Sequence, residues 1–317
     1  LTIKKVFVRE GISQDGQATM EIFKGEGIIS FFDRFQSDDD CLAYLAAKKS
    51  EQGYVCKKCG HTKHTVRKKN LARDCNRCHH LESPTAGTLF HKVKFGLRKA
   101  FGIVFEMSAT TKSISANQMS KRYEIRYTTA WLFMQKVRKA MKSSENDPMD
   151  GDVIVDEFVF GGREDLKQGR STDSKKKKIV AAVQKDTTGI KRAYFKVIQD
   201  YSSTSLRSIF DTHISKKAKV STDKWTGYKP LKEDYNITQI KSDKGNTFFQ
   251  MNTIIHQLKA WMRSNFSNVD KLHIQAYLDE FSFRINRSQH KQIIFDKLIN
   301  RLLNHNKLFY RDIIISN

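Results

Sequence analysis

Four cysteines form the residue pattern with the most specific chemistry in this chain. Cys56 and Cys59 make one CxxC pair, fifteen residues follow, and Cys75 and Cys78 make a second pair. Each CxxC turn can direct two thiolates at one centre, and two such turns complete a tetrahedral zinc site. Four thiolates leave no position for a reacting water, so the predicted zinc is structural. The fifth cysteine, Cys41, has no partner at this spacing and is predicted to be a core residue.

Two aspartates occupy positions where metal-dependent phosphoryl transfer needs acids. Asp156 lies in the middle of the apolar run Val153–Phe160, and Asp223 ends the run Ala218–Asp223. A charge inside an apolar strand is costly unless something binds it. Two divalent cations about 4 Å apart, held by acidic oxygens, can activate a water and stabilise a leaving oxygen. The two aspartates therefore predict a site for Mg²⁺ or Mn²⁺.

The elements around these aspartates follow one order. Three predicted strands precede a helix, and a fourth strand, a fifth strand and a long helix follow. The runs are Val153–Phe160, Lys178–Val183, Ala193–Ile198, the helix through Phe210, Ala218–Asp223, Ile237–Ile240 and Thr247–Phe266. This order is typical of an RNase H-like α/β/α domain.

A different pattern precedes the strands. Residues 95–141 have helical spacing, with a short helix near Ser113–Met119, a turn at Tyr123–Arg126 and a longer helix from Tyr127. A short helix, a tight turn and a longer basic helix are typical of a helix-turn-helix, and the alternative is an ordinary helical hairpin. The side chains predicted to face DNA are Tyr127, Thr128, Thr129, Gln135 and Lys136, with Arg138 as a further candidate.

The charge of the chain favours a polyanionic partner. Lysine and arginine number 57 against 34 aspartates and glutamates, which gives a net charge of +23. Such a surplus indicates nucleic acid. Around the cysteines, Lys57, Lys68 and Arg73 are predicted to contact DNA phosphates. No stretch approaches the roughly 20 apolar residues of a membrane helix, and Leu1–Glu10 does not resemble a signal peptide.

Four motifs in a fixed order carry a resemblance to a known family. They are VIVDEFVFGG at 153–162, STDKWTGY at 221–228, MNTI at 251–254 and YLDEFSFRINR at 277–287. With the cysteine pairs, they resemble insertion-sequence transposases that join an N-terminal zinc ribbon to a DD(N/E) catalytic domain, the bacterial relatives of Merlin elements.

The resemblance implies a set of site residues. Asp156 and Asp223 correspond to the first two catalytic acids, Asn252 to the third position, and Lys259 to an accompanying lysine seven residues on. Positions i, i+4 and i+7 share one face of a helix, so both side chains can point at one site.

The chain also departs from the family pattern. Gln250 stands where the family has histidine, and Ile255 stands where it has glutamate. If that glutamate is the third ligand, catalysis is impaired in this chain. Glu280 is an alternative third carboxylate, although its spacing from Arg284 also suits an ion pair within one helix.

These observations predict a multidomain α/β protein. We expect an N-terminal helical segment at 1–50, a zinc ribbon at 51–90, a helix-turn-helix region at 91–148, and an RNase H-like catalytic domain with C-terminal helices at 149–317. The resemblance implies a DNA transposase that binds terminal inverted repeats, cleaves 3′ ends and transfers strands to target DNA. A homodimer or larger assembly on DNA is expected because two ends must reach two target phosphates. Paired cysteines and the family indicate a cytoplasmic, nucleoid-associated prokaryotic protein.

Two other functions fit the sequence. One is a catalytically impaired transposase relic that acts as a DNA-binding protein. The other is an RNase H-like nuclease that cuts without strand transfer.

Overall fold

The computed structural model describes residues 11–12, 18–19, 22–25, 27–161, 176–187, 189–241, 243, 247–266 and 269–314. Residues Leu1–Glu10 and Gly162, which the sequence analysis considered, lie outside these ranges. The chain forms two compact units. The first comprises Leu1–Thr110, Met119–Ala140 and His290–Ile313, and the second comprises Thr111–Gln118, Met141–Gln289 and Ile314–Asn317. In the described part of the chain no helix is both long and apolar enough to cross a membrane.

The helices and strands follow one another along the chain in this order. They are β1 (Gly11–Ile12), β2 (Ala18–Thr19), α1 (Ile28–Arg34), α2 (Asp38–Glu51), β3 (His64–Val66), β4 (Arg73–Cys75), β5 (Leu81–Glu82), α3 (Leu97–Ala109), α4 (Ala116–Arg122), α5 (Tyr127–Met141), β6 (Asp152–Phe160), β7 (Lys177–Asp186), β8 (Gly189–Ile198), α6 (Ser203–His213), β9 (Lys219–Thr222), a 3₁₀ helix (Thr226–Glu233), β10 (Ile237–Gln239), α7 (Phe249–Asn265), α8 (Ile274–Ile285), a 3₁₀ helix (Ser288–Ile293), α9 (Ile294–Asn304) and α10 (Tyr310–Ile314).

The first unit has an aromatic core. Phe31 of α1 stacks on Phe105 of α3 with ring centroids 4.4 Å apart, and Phe295 of α9 meets Phe31 edge to face at 5.2 Å. The residue after Phe295 makes polar contacts with α2. The Tyr44 hydroxyl donates a hydrogen bond to Asp296, whose carboxylate also lies 3.0 Å from Nζ of Lys48. Helix α9 is therefore held in the first unit by apolar packing and by buried polar contacts.

A capping box starts α2. The Ser37 hydroxyl accepts from the Asp40 backbone N–H, and the Asp40 carboxylate accepts from the Ser37 backbone N–H. This arrangement satisfies two backbone donors that the helix itself leaves unpaired.

A buried ion cluster joins α2 to the strands β3, β4 and β5, which form an antiparallel sheet in that order. Glu82 on β5 is buried and receives Lys49 of α2 at 3.3 Å and Arg73 of β4 at 2.6 Å. Arg73 also donates to the Gly53 carbonyl at 3.1 Å, and its guanidinium lies 4.9 Å from the centre of the Tyr54 ring. The predicted DNA contact Arg73 thus has structural partners on several sides.

The second unit is built on a five-stranded mixed sheet. The strand order is β10-β9-β6-β7-β8. β6 pairs antiparallel with β7 and parallel with β9, which places β6 in the centre of the sheet. β7 and β8 join through a turn in which Gly189 has a φ of +136°, a conformation that a side chain rarely tolerates.

The two faces of this sheet are covered by different helices. Ile154 and Phe158 of β6 face α7 and α8, where they join Met251, Leu258 and Phe281. The alternate residues Val153 and Val155 face the opposite side, where they join α6 and Tyr228. Because side chains alternate along a strand, β6 supplies both cores of a three-layer α/β/α unit.

The structure confirms the order of elements predicted for residues 152–266, although several bounds shift. β7 begins at Lys177 and continues to Asp186, beyond the predicted Lys178–Val183. Residues 290–313 group with the first unit and not with the sheet. The domain boundaries expected from the sequence remain predictions.

The ion cluster of Glu82 predicts a large effect of removing one charge. We expect Glu82→Gln to lower the free energy of unfolding of the first unit by about 3 kcal/mol, because the buried charges of Lys49 and Arg73 then lose their carboxylate counterion. Chemical denaturation monitored by circular dichroism measures this. The control is Glu51→Gln, which breaks a more exposed pair with Lys48 and should cost about 0.5 kcal/mol or less.

The pH dependence of this effect follows from the pKa of Glu82. Burial opposes ionisation, but Lys49 and Arg73 outweigh it and hold that pKa below the ordinary value. The folded pKa lies below the unfolded one, so the stabilisation is complete above about pH 4.5 and is lost as the pH falls through the folded pKa. The difference in free energy of unfolding between wild type and Glu82→Gln should become smaller in acid. A difference that stays constant with pH would contradict this explanation.

Candidate functional site

The four cysteines lie on two turns of similar geometry. In the first turn, the Gly60 N–H donates to the Cys56 carbonyl at 2.8 Å, and the Cys56 N–H donates to the His61 carbonyl at 2.9 Å. The second turn has the same two hydrogen bonds. The His79 N–H donates to the Cys75 carbonyl at 2.9 Å, and the Cys75 N–H donates to the His80 carbonyl at 3.1 Å. The fifth residue of each turn, Gly60 or His79, is left-handed, with φ of +72° and +53°. The two knuckles thus present their sulfurs in the same way.

The sulfurs converge on one point. The Sγ atoms of Cys56 and Cys78 are 3.6 Å apart, those of Cys59 and Cys75 are also 3.6 Å apart, and all four lie within 4.8 Å of one another. Four sulfurs bonded to a tetrahedral zinc at about 2.3 Å would have edges of about 3.8 Å. Burial opposes ionisation of Cys56, but N–H donors of Lys58 and Cys59 outweigh it and lower its pKa to about 6. The distances fit a four-thiolate zinc site. Burial raises the pKa of Cys78, so its ionisation would depend on the bound metal.

The cationic residues predicted near this cluster differ in their surroundings. Lys57 is 65% exposed and lies 3.6 Å from Glu82, and Lys68 is also exposed. Arg73 is only 12% exposed because it is held by Glu82 and by backbone carbonyls. Lys57 and Lys68 are therefore the accessible members of the predicted set.

A second cluster forms where β6 and β9 run side by side. Their parallel register pairs Asp152 with Lys219 and Ile154 with Ser221. Continuing this register by two residues brings Asp156 opposite Asp223, which follows β9 directly. A carboxylate oxygen from each lies within 4.8 Å of the other and of an oxygen of Glu157, and all three residues are half-buried.

Hydrogen bonds orient each carboxylate of this cluster. The Glu157 N–H donates to Asp156 at 2.9 Å, and the Trp225 N–H donates to Asp223 at 2.9 Å. The Tyr228 hydroxyl donates to Oε2 of Glu157 at 2.5 Å. Burial, together with Glu157 and then the two aspartates, raises the pKa of Tyr228 well above its ordinary value, so the hydroxyl stays a donor.

Glu157 was not among the residues predicted from the sequence. On β6 it follows Asp156, and alternation places its side chain on the face of Val155, toward the 3₁₀ helix Thr226–Glu233. The signal in the sequence was the adjacent Asp156-Glu157 pair with a tyrosine five residues after Asp223. Only the fold shows that this tyrosine returns to Glu157.

Asn252 and Lys259 lie on α7, which packs against the face of β6 that carries Asp156. Asn252 is half-buried in the first turn of the helix. The Lys259 ammonium lies 5.2 Å from the centre of the Phe158 ring, two residues beyond Asp156. Burial, then Arg263 and Lys176, lower the pKa of Lys259. The fold thus brings both residues to the side of the sheet on which Asp156 lies.

The departures from the family pattern have a physical explanation in α7. Ile255 is 7% exposed and belongs to the apolar core beneath the helix, where a glutamate would need a buried partner. His256 is exposed. Glu280 is buried and receives Arg284 at 3.1 Å, which is the helical ion pair considered from the sequence.

The predicted helix-turn-helix residues fall into two groups on α5. Tyr127 is 55% exposed, Thr128 is exposed, and Thr129 and Lys136 are half-buried. Gln135 is 1% exposed, and so is Arg138. Buried side chains cannot reach a DNA surface in this conformation, so the accessible part of the predicted set is the first turn of α5 together with Lys136.

One family model matches the part of the chain that contains the acid cluster. Residues 148–286 match the model of the ISXO2-like transposase domain. This range contains Asp156, Glu157, Asp223, Asn252 and Lys259 and lies outside the cysteine cluster. No curated protein matches the chain.

Two solved structures show distant likeness. A pre-cleavage Mos1 transpososome has 11% identity over 62% of this chain and 76% of that chain, with a TM-score of 0.19. A Mos1 transposase paired-end complex with the left transposon end has 10% identity over the same shares, also with a TM-score of 0.19. Scores this low support no conclusion about the fold. The match over residues 148–286 agrees with the resemblance noted in the sequence motifs, since this part of the chain is similar to an ISXO2-like transposase domain.

Proposed function

We propose that this chain is a transposase that binds the ends of its element, cleaves their 3′ strands and joins them to target DNA in one RNase H-like active site. The observation that carries the proposal is the cluster of Asp156, Glu157 and Asp223 at the centre of the sheet, inside the transposase domain. The strand order with β6 in the middle, antiparallel to β7 and parallel to β9, supports the RNase H-like assignment.

The carboxylates fit divalent metal binding. Hard oxygen ligands are those that Mg²⁺ and Mn²⁺ prefer, and three carboxylates this close together repel one another unless cations compensate them. Asp156 and Asp223 would hold the metal, with Glu157 as a further ligand oriented by Tyr228. When bound, the metal ions would activate the nucleophile and stabilise the oxygen that leaves.

The remaining residues act on the DNA. Lys259 supplies a positive charge on the Asp156 side of the sheet, where it can hold a phosphate of the strand being cut. The Asn252 amide can orient a water or an ion beside it. Water attacks the phosphorus at the element end, and the 3′ oxygen leaves as a hydroxyl. That hydroxyl then attacks a target phosphodiester, and the 3′ oxygen of the target leaves in turn.

The first unit supplies the DNA-binding surfaces in this proposal. The zinc ribbon would present Lys57 and Lys68, and the start of α5 would present Tyr127 to Thr129. The net charge of +23 supports binding to a polyanion. A dimer or larger assembly would join two ends to two target phosphates.

The catalytic part of the proposal is tested by single substitutions of the aspartates. We expect Asp156→Asn and Asp223→Asn each to slow Mn²⁺-dependent cleavage of inverted-repeat DNA by at least about a hundredfold, because each loses a charged ligand worth several kcal/mol in the transition state. The control Glu233→Gln removes an exposed carboxylate of the same unit and should cleave normally.

The rival functions predict other outcomes of this assay. A relic would leave the DNA uncut in wild type and variants alike while still binding it. A nuclease without strand transfer would cut inverted-repeat DNA but give no joined products with a target plasmid.

Glu157 is tested by metal binding. If it is a ligand, Glu157→Gln should weaken binding of Mn²⁺ by at least about tenfold, as measured by electron paramagnetic resonance titration. The charge-matched control Glu233→Gln should bind Mn²⁺ like wild type. An unchanged affinity in Glu157→Gln would remove Glu157 from the ligand set and leave the two aspartates in place.

The zinc assignment is tested by metal content. Wild-type protein purified without chelator should contain one zinc per chain, and Cys59→Ser should lose it because three thiolates hold zinc far more weakly than four. Cys41→Ala should keep the zinc, since burial on α2, with Asp38 and Asp40, raises the pKa of Cys41 and keeps its thiol protonated. Elemental analysis reads out both. Zinc retained in Cys59→Ser would contradict the four-thiolate site.

A further inference from the structure

A cavity of about 450 Å³ lies in the first unit between the segment His91–Phe95 and α5. Thr129, Leu132, Phe133 and Lys136 line one wall and share one face of the helix, because they follow the spacing i, i+3, i+4 and i+7. Phe95 packs edge to face on Phe133 at 5.3 Å and contributes to the apolar part of the lining.

The polar lining of this cavity is cationic. Lys92, Lys94, Arg126 and Lys136 line it, and its one lining carboxylate, Glu124, lies 3.9 Å from Lys99 outside the cavity. Lys307 also lies close enough to act on His91: burial, then Lys307, Lys92 and Lys136, lower the pKa of that histidine. His91 is therefore a neutral wall residue in a strongly positive field.

Lys92, Lys94 and Arg126 are exposed and Lys136 is half-buried, and these four cations differ from other cations of the unit, which form ion pairs. Lys48 pairs with Asp296, Lys49 and Arg73 pair with Glu82, and Arg122 pairs with Glu106. Among the described residues, by contrast, no carboxylate forms an ion pair with Lys92, Lys94, Arg126 or Lys136. Asp312 acts on Lys136 at longer range, but it also lies 3.6 Å from Arg311. Like charges around one concave surface repel one another, and an anion in the cavity would compensate them.

The backbone adds to the same potential. α5 begins at Tyr127, beside the cavity-lining residues Ile125 and Arg126, and runs for 15 residues. The free N–H groups and the dipole of its first turn favour a negative charge. Lys92 and Glu124, which both line the cavity, are left-handed without being glycine, with φ of +56° and +50°. Such conformations are held in place by the surrounding structure.

We propose that this cavity binds a phosphate of the DNA backbone, with the adjoining sugar against Leu132 and Phe133. Cations with an apolar floor at the start of a helix match one phosphodiester and its sugar, and they do not read a base. The proposal rests on the proposed function, because it extends the DNA surface predicted on α5, which includes Thr129 and Lys136, to the segment His91–Phe95 and Arg126. Lys92, Lys94 and Arg126 are new contacts that sequence reasoning did not select.

The salt dependence of DNA binding tests this proposal. The probe is a fluorescein-labelled duplex of about 30 base pairs of arbitrary sequence, titrated by anisotropy between about 50 and about 200 mM salt. We expect the double variant Lys94→Gln/Arg126→Gln to bind the duplex about tenfold more weakly. The magnitude of the slope of log K against log salt should fall by about one to two, which corresponds to the loss of one or two phosphate contacts. Both side chains are reached by solvent, so the fold should persist, which circular dichroism and zinc content check.

A matched variant separates the cavity from net charge. Lys24→Gln/Lys297→Gln removes two exposed charges of the same unit that do not line the cavity, and it should keep the wild-type slope. Equal slopes in the cavity variant and wild type, or equal losses in both double variants, overturn the proposal. The same titration with a structured RNA is a further check: a cavity variant that binds this RNA more weakly but binds the DNA duplex like wild type also overturns the proposal.

The outcomes also distinguish this proposal from the proposed function. A wild type that neither binds nor cuts DNA overturns both. A wild type that cuts DNA, alongside a cavity variant with an unchanged slope, overturns only the cavity assignment.

Discussion

The parallel pairing of β6 with β9 is the constraint on which the candidate active site depends. It brings Asp156 and Asp223 together from positions 67 residues apart in the chain. The pairing also sets the place of the 3₁₀ helix after β9, from which Tyr228 reaches Glu157. One strand contact therefore positions two acids directly and orients a third.

Charge compensation distinguishes the parts of the molecule that hold the fold from those that await a ligand. In the first unit, Glu82 and Asp296 each neutralise buried lysines or arginines, so these groups stabilise packing. Three carboxylates meet at the sheet centre, and four cations line the cavity beside α5. The sign of the charge in each group is the basis for the ligands proposed above, cations for the first and a phosphate for the second.

The range that is similar to a transposase domain does not coincide with either compact unit. The family match ends at residue 286, and the following residues 290–313 return to the first unit. The reason is visible in α9, where Phe295 completes the aromatic core of α1 and α3 and Asp296 meets Tyr44 and Lys48. A helix so engaged cannot be removed without exposing that core.

The sequence by itself determined what depends on local spacing. Two CxxC pairs specified a four-thiolate cluster, and apolar alternation specified the strands that carry Asp156 and Asp223. Tertiary structure decided what depends on distant partners. Gln135 and Arg138 are buried, although the sequence of their helix is basic and predicts a DNA-facing surface. Arg73 forms an ion pair with Glu82, although its neighbours in the sequence include exposed lysines. Glu157 joins the acids, and Lys92, Lys94 and Arg126 meet at one cavity. Burial and pairing are set by segments far apart in the chain, and no local pattern encodes which segments will meet.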